Sequence, residues 1–180
     1  MPATAVRTHV TADQLRAFGW KKVNDHMVRD LNSTLEKYDI TTTERIRHFL
    51  SQCMIESDYG NATQEYADGS EYENRRDLGN VNPGDGPKYK GAGYIQLTGR
   101  YNYQKFEEEM GDPRIMEGVD YVSKNYPWSS AGFWWKMNNM NALVDSGATV
   151  KDVTLRVNGR GMRKLAERED YYQRTAAIFV

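Results

Sequence analysis

Carboxylates and neutral polar side chains are spaced along the first hundred residues in a way that suits acid–base chemistry. Glu56 stands at the end of an amphipathic stretch, in Ile55-Glu56-Ser57. A polar segment to Lys90 follows, with Glu65, Glu71 and Glu73. Then comes Gly91-Ala92-Gly93-Tyr94-Ile95-Gln96-Leu97-Thr98-Gly99-Arg100-Tyr101-Asn102-Tyr103, which supplies side-chain amides, a hydroxyl and tyrosines. Two carboxyl groups in different environments can act as acid and base, and amides and phenols suit a neutral, hydroxyl-rich ligand. That equipment fits a carbohydrate-cleaving cleft. Breaking a glycosidic bond needs a proton for the departing oxygen and a nucleophile at the anomeric carbon.

The elements that must position these groups follow from periodicity. Ile46, Phe49, Leu50, Cys53 and Met54 fall at i, i+3, i+4, i+7 and i+8, an unbroken apolar stripe. Thr41 with Glu44 reads as the capping box that opens this helix. Glu56 lies on the flank of the stripe, where partial desolvation favours a protonated carboxyl. His48 is expected on the opposite, solvated side, and Tyr59-Gly60 closes the helix. Residues 61–90 are dense in Gly, Asn, Asp and Pro. They are expected to form an irregular lobe with short strands.

Elsewhere the chain reads as helix. Thr11 and Gln14 form a capping box before Leu15 and Phe18, and Gly19 ends that helix. Val23, Met27, Leu31 and Leu35 mark a packing helix beside which His26 lies. A further helix begins near Thr98 and stops at Gly111-Asp112-Pro113. Short helical stretches follow from Ile115 to Tyr126 and from Trp128 to Met137. Two consecutive residues, Trp134 and Trp135, point about 100° apart on a helix, so one could line a cleft. Thr149 and Asp152 open another helix, and a last one runs from about Arg163 to Phe179. The expected class is mainly α with one irregular lobe, in one domain over residues 1–180, with 1–10 a weakly ordered lead-in.

Composition narrows the chemistry. The chain has 180 residues, a net charge of −1 and 27% charged residues, without a basic stripe, which argues against nucleic acid as a partner. Cys53 is the single cysteine and sits on the apolar stripe, a core residue rather than a nucleophile. With only three scattered histidines, His9, His26 and His48, neither a metal cluster nor a Ser/Cys–His triad is expected. No cofactor or metal is implied. No apolar run is long enough to span a membrane, and the start carries no leader-like pattern. The expected protein is therefore a monomer, without membrane insertion. It would be cytoplasmic until released by lysis, unless a leader is missing.

The motifs resemble glycoside hydrolase family 19, the family of plant-type chitinases and phage endolysins in the lysozyme-like superfamily. Gly93-x-Ile95-Gln96-Leu97-Thr98-x-x-Tyr101-Asn102-Tyr103 is similar to its central run. Val157-Asn158-Gly159 resembles its C-terminal turn, and Glu167-Arg168 with Tyr171-Tyr172 resembles its last helix. Ala92 and Arg160 depart from the pattern, replacing an arginine and a glycine. The resemblance implies a lysozyme-like α+β fold with a small β-hairpin lobe after the acid helix. It implies Glu56 as general acid and Glu65, nine residues on, as general base, with Glu73 in reserve. It implies Thr98 as the hydroxyl that fixes the attacking water. Gln96, Tyr101, Asn102 and Asn158 would be sugar-binding groups, and Arg168 would orient a catalytic carboxylate. The implied reaction is inverting cleavage of a β-1,4-linked N-acetylated polysaccharide. Missing disulfides and the Thr98-Gly99-Arg100 form lean it toward bacterial peptidoglycan, as an endolysin- or autolysin-type muramidase (lysozyme). A chitinase, a lytic transglycosylase and an inactive wall-binding module are the alternatives.

Overall fold

The computed structural model describes residues 6–180, and ten α-helices build the architecture among them. In chain order these are α1 Ala12–Phe18, α2 Asp25–Lys37, α3 Thr43–Glu56, α4 Asp85–Lys88 and α5 Arg100–Met110. They continue with α6 Val119–Asn125, α7 Pro127–Met137, α8 Met140–Asp145, α9 Val150–Asn158 and α10 Leu165–Ile178. Residues 1–5 of the expected lead-in lie outside the described residues. From His9 the chain is anchored: Asn32 Oδ1 accepts the amides of His9 and Val10, and Asn32 Nδ2 donates to the Val10 carbonyl.

Helix α3 is the axis. Its stripe residues Phe49, Leu50, Cys53 and Met54 are fully buried, and so are the polar Ser51 and Gln52. A helix buried on nearly every side must satisfy its polar groups internally. α10 packs along α3, with α8 and α9 against its other flanks. Thr42 rather than Thr41 is the N-cap, accepting from the Arg45 amide. Glu44 is therefore one position too early for the expected box and instead takes the Tyr172 hydroxyl at 2.6 Å. His48 also departs from expectation. It is 2% exposed, stacked on Tyr172 at 4.5 Å, because α10 covers the face that the stripe leaves free. Trp135 is buried in the core and donates to Asn141 Oδ1. The aromatic cluster of Trp20, Tyr94 and Trp128 fills the space under the glycine-opened segment.

The expected α+β class and its hairpin lobe are not found. Among the described residues there is no β-strand, and the fold is all-helical. Only two isolated antiparallel bridges occur, Gln64 with Ala92 and Ala92 with Leu97. The reason lies in where residues 61–90 send their backbone hydrogen bonds. Glu73 takes the amides of Gly84 and Gly86, Asp68 takes that of Ser70, and Asp85 takes that of Asn82. Carboxylates thus occupy donors that a ladder would need. Left-handed residues at Gly69, Asn74, Gly79 and Gly84 break any extended run. Single turns of helix at Ser70–Tyr72 and Arg76–Leu78, and α4, fill the segment instead. Asp85 is buried and grips Arg100 at the start of α5 through two bonds of 2.9 Å, which ties the loop to the helical body.

Candidate active site

Glu56 is the last residue of α3, and the end of that helix forms the floor of a cleft of about 700 Å³. Its side chain is 13% exposed, against 1% for the arginine that grips it. Arg168, one turn into α10, donates through Nη2 to Glu56 Oε1 at 2.7 Å. Its Nη1 donates to Gln52 Oε1 at 2.6 Å and its Nε to the Arg163 carbonyl at 3.0 Å. Gln52 passes its amide on to Thr154 Oγ1 of α9 at 3.1 Å. Three helices therefore fix one carboxyl through a guanidinium whose three nitrogens each donate a hydrogen bond. Such charge-assisted bonds are short and directional. Gln52 precedes Glu56 by four residues, one helical turn, and both face α10. That spacing alone could have nominated it.

The chain leaves α3 through strained backbone. Asp58 and Tyr59 have φ of 51° and 60°, and Gly60 follows at 84°. A side chain at Gly60 would meet the Trp20 indole at 2.3 Å, so the turn can close only on glycine. Ser57 is buried and its hydroxyl accepts the Gly60 amide. Cys53 faces the core, where burial pushes its thiol well above the ordinary range. It takes no part as a nucleophile.

Glu65 lines the same cleft from the loop side. Its Oε1 accepts the Gly91 amide at 2.7 Å and its Oε2 the Tyr72 hydroxyl at 3.2 Å, while its own amide donates to the Gly91 carbonyl. Burial and the neighbouring Glu65 carboxylate push the Tyr72 phenol upward, so it remains a donor. Glu71 also reaches the cleft. Glu73, the reserve base, does not: both of its oxygens are bound to the Gly84 and Gly86 amides, where it holds the loop together.

Thr98 and Gln96 complete the wall. Gln96 sits at a φ of 67°, and its side chain lies against Gly91, where an added Cβ would come within 2.4 Å of Oε1. Thr98 donates to the Gln96 carbonyl at 2.9 Å, which leaves its oxygen free to accept from a water in the cleft. Asn158 lines the far side, its Oδ1 accepting the Arg163 amide. Arg163 and Lys164 stand beside it, residues that motif reading did not single out. Two of the expected sugar-binding groups lie elsewhere. Tyr101 is half-exposed on a separate depression with Lys105 over its ring. Asn102 donates to the Thr98 carbonyl, a brace behind the wall rather than part of it. Trp134 does not line the cleft either. Among the described residues no group of three or more metal-ligating side chains is placed to hold an ion.

Comparison with solved structures identifies this architecture. Chitinase C from Streptomyces griseus HUT6037 superposes with a TM-score of 0.77, covering 96% of this chain and 93% of that one, at 16% sequence identity. The chain therefore has the fold of a family 19 chitinase. Another bacterial family 19 chitinase gives 0.74 over 94% of both chains at 20% identity. A class IV chitinase of the family from Zea mays gives 0.61, covering 89% and 85%, at 14%. In sequence, a glycosyl hydrolase family 19 domain-containing protein from Haemophilus influenzae is 35% identical over 106 residues, 57% of this chain. The match spans 48% of that protein, about half its length. No family model matches the chain. Within the family 19 fold, the cleft between α3, the 61–90 loop and the turn before α10 gathers Glu56, Glu65, Gln96, Thr98 and Asn158 in one place. Arg168 stands directly behind Glu56.

Proposed function

We propose that the protein hydrolyses β-1,4 bonds in polymers of N-acetylglucosamine, as a chitinase that inverts the anomeric centre. The observation that carries this reading is the cleft itself. Glu56 and Glu65 reach one cavity from separate elements, with the Thr98 hydroxyl on the same wall. Glu56 gives its proton to the bridging oxygen as the bond from that oxygen to C1 breaks. A water held by Thr98 bonds to C1 from the opposite face and loses its proton to Glu65. Inversion needs the two carboxyls far enough apart to admit that water, roughly 6.5–9.5 Å. Arg168 keeps the Glu56 carboxyl aimed along the cleft.

The expectation of peptidoglycan as substrate is corrected by the comparisons. Absent disulfides and the Thr98-Gly99-Arg100 form do not distinguish one β-1,4-linked N-acetylated polymer from the other. The three solved structures named above, which share the fold over most of their length, are chitinases, bacterial as well as plant. The same correction removes the lysozyme and endolysin readings.

Digestion of N-acetylglucosamine oligomers, followed by mass spectrometry and by NMR of the fresh products, tests the proposal. Hydrolysed oligomers with the α-anomer formed first are expected. Glu56→Gln should lose at least about 10²-fold in rate, the usual worth of general acid catalysis. Intact oligomers beside cleaved peptidoglycan, anhydro product ends, or a Glu56→Gln variant of unchanged rate would each sink it.

A further inference from the structure

One aromatic ring in the cleft is unexplained by the reaction. Tyr66 follows Glu65 directly, lines the cavity, and is 75% exposed. A ring left in water forgoes the stabilisation that burial would give it, about 1.5–3 kcal/mol for a large apolar side chain. Rings left this open are usually also mobile, yet this one is tethered. Its hydroxyl donates to Asp58 Oδ2 at 2.7 Å. That bond also pushes the phenol above its ordinary range, so the donor persists through neutral and mildly alkaline pH. Asp58 is itself fixed in left-handed backbone immediately after the acid helix. The tether thus crosses from the loop that bears Glu65 to the segment that follows Glu56.

We propose that Tyr66 is a stacking platform for one N-acetylglucosamine ring of the bound polymer, held in its binding pose by Asp58. This rests on the chitin reading above. A pyranose in a β-1,4 polymer presents an apolar face of axial C–H groups, and an exposed phenol ring offers it area with little rotamer entropy left to lose. Much of this wall is polar, with Glu56, Gln64, Glu65 and Glu71 to supply hydrogen bonds, while of its other apolar residues Ile55 and Ala62 are buried and Tyr72 is half-buried. Tyr66 is the most exposed ring beside the proposed base. Asp58 is a positioning residue in this scheme, because it touches the phenol and not the sugar.

Binding without turnover tests it. The hexamer of N-acetylglucosamine is titrated calorimetrically into Glu56→Gln, and into the same protein carrying Tyr66→Ala, Tyr66→Phe or Asp58→Ala. A Glu65→Gln background repeats the series in case Glu56→Gln folds poorly. Tyr66→Ala should weaken binding roughly tenfold, the loss of one aromatic contact. Tyr66→Phe and Asp58→Ala keep the ring and release the tether, and should weaken it about two- to threefold. Equal affinity with and without the Tyr66 ring overturns the platform while leaving the chitin reading standing. If both backgrounds fold but neither binds the hexamer, the chitin reading fails and the platform with it.

Discussion

The two carboxyls of the cleft are held by different physical means. Glu56 is fixed from behind by side chains. Arg168, Gln52 and Thr154 come from α10, α3 and α9, and all three are essentially buried. Glu65 is fixed mainly by main chain, through the Gly91 amide and carbonyl, with one tyrosine in support. A buried guanidinium network is stiff because none of its members can turn to water without leaving a donor unsatisfied. A loop carboxylate held by a backbone amide moves with its loop. The proposed chemistry fits this division: the acid must meet one bridging oxygen, whereas the base must reach a water across a gap.

The largest effect should come from breaking the stiff side. Arg168→Met leaves Glu56 and Gln52 without their cation and should cost about 3–5 kcal/mol of stability. Activity should fall by about 10²-fold even where the protein remains folded, from misplacement of the acid. Denaturant melts and initial rates on an oligomer substrate measure both. If the variant stays as stable as the parent, the stiff floor is not a network. Gln52→Leu sharpens the point, because it removes no charge and leaves both Arg168 and Thr154 short of a partner. It should cost about 1–3 kcal/mol and lower kcat with little change in KM.

On the loop side, Asp85→Asn severs the anchor to Arg100 and should cost about 2 kcal/mol. The Arg100 guanidinium and the Asn82 amide hold the Asp85 carboxyl below its ordinary range. Its contribution is therefore complete above the unfolded value, about 3.9, and is lost as pH falls through the lower folded value. The gap in melting temperature between wild type and variant should accordingly be constant near neutrality and narrow below about pH 4. A gap that widens in acid would contradict the assignment. Smallest of all should be Tyr72→Phe, which removes a 3.2 Å bond to Glu65. A loss of under about 1 kcal/mol is expected, with a few-fold fall in rate. A fall as deep as that of Arg168→Met would erase the contrast between the two sides.

Much of this was readable from residue types. The apolar stripe located α3, the Thr11–Gln14 and Thr149–Asp152 boxes located two helix starts, and the family motif named five residues that meet in the cleft with Arg168 behind them. What escaped is what depends on distant partners. His48 looked solvated because the helix that covers it lies more than a hundred residues later. The 61–90 segment looked like strand-bearing loop because local patterns do not say that Glu73 and Asp85 will take its amides. Tyr101 and Asn102 lie in the motif but turn away from the cavity, since α5 begins at Arg100 and carries Tyr101 to a separate depression and Asn102 back onto the Thr98 carbonyl.

The hydrogen bond from Arg168 to Glu56 joins positions 112 residues apart. A chain leaving the ribosome would therefore carry its acid long before the arginine that aims it had been made. On the proposed chemistry, competence would await the docking of α10, and a copy without that helix would have no aimed proton donor.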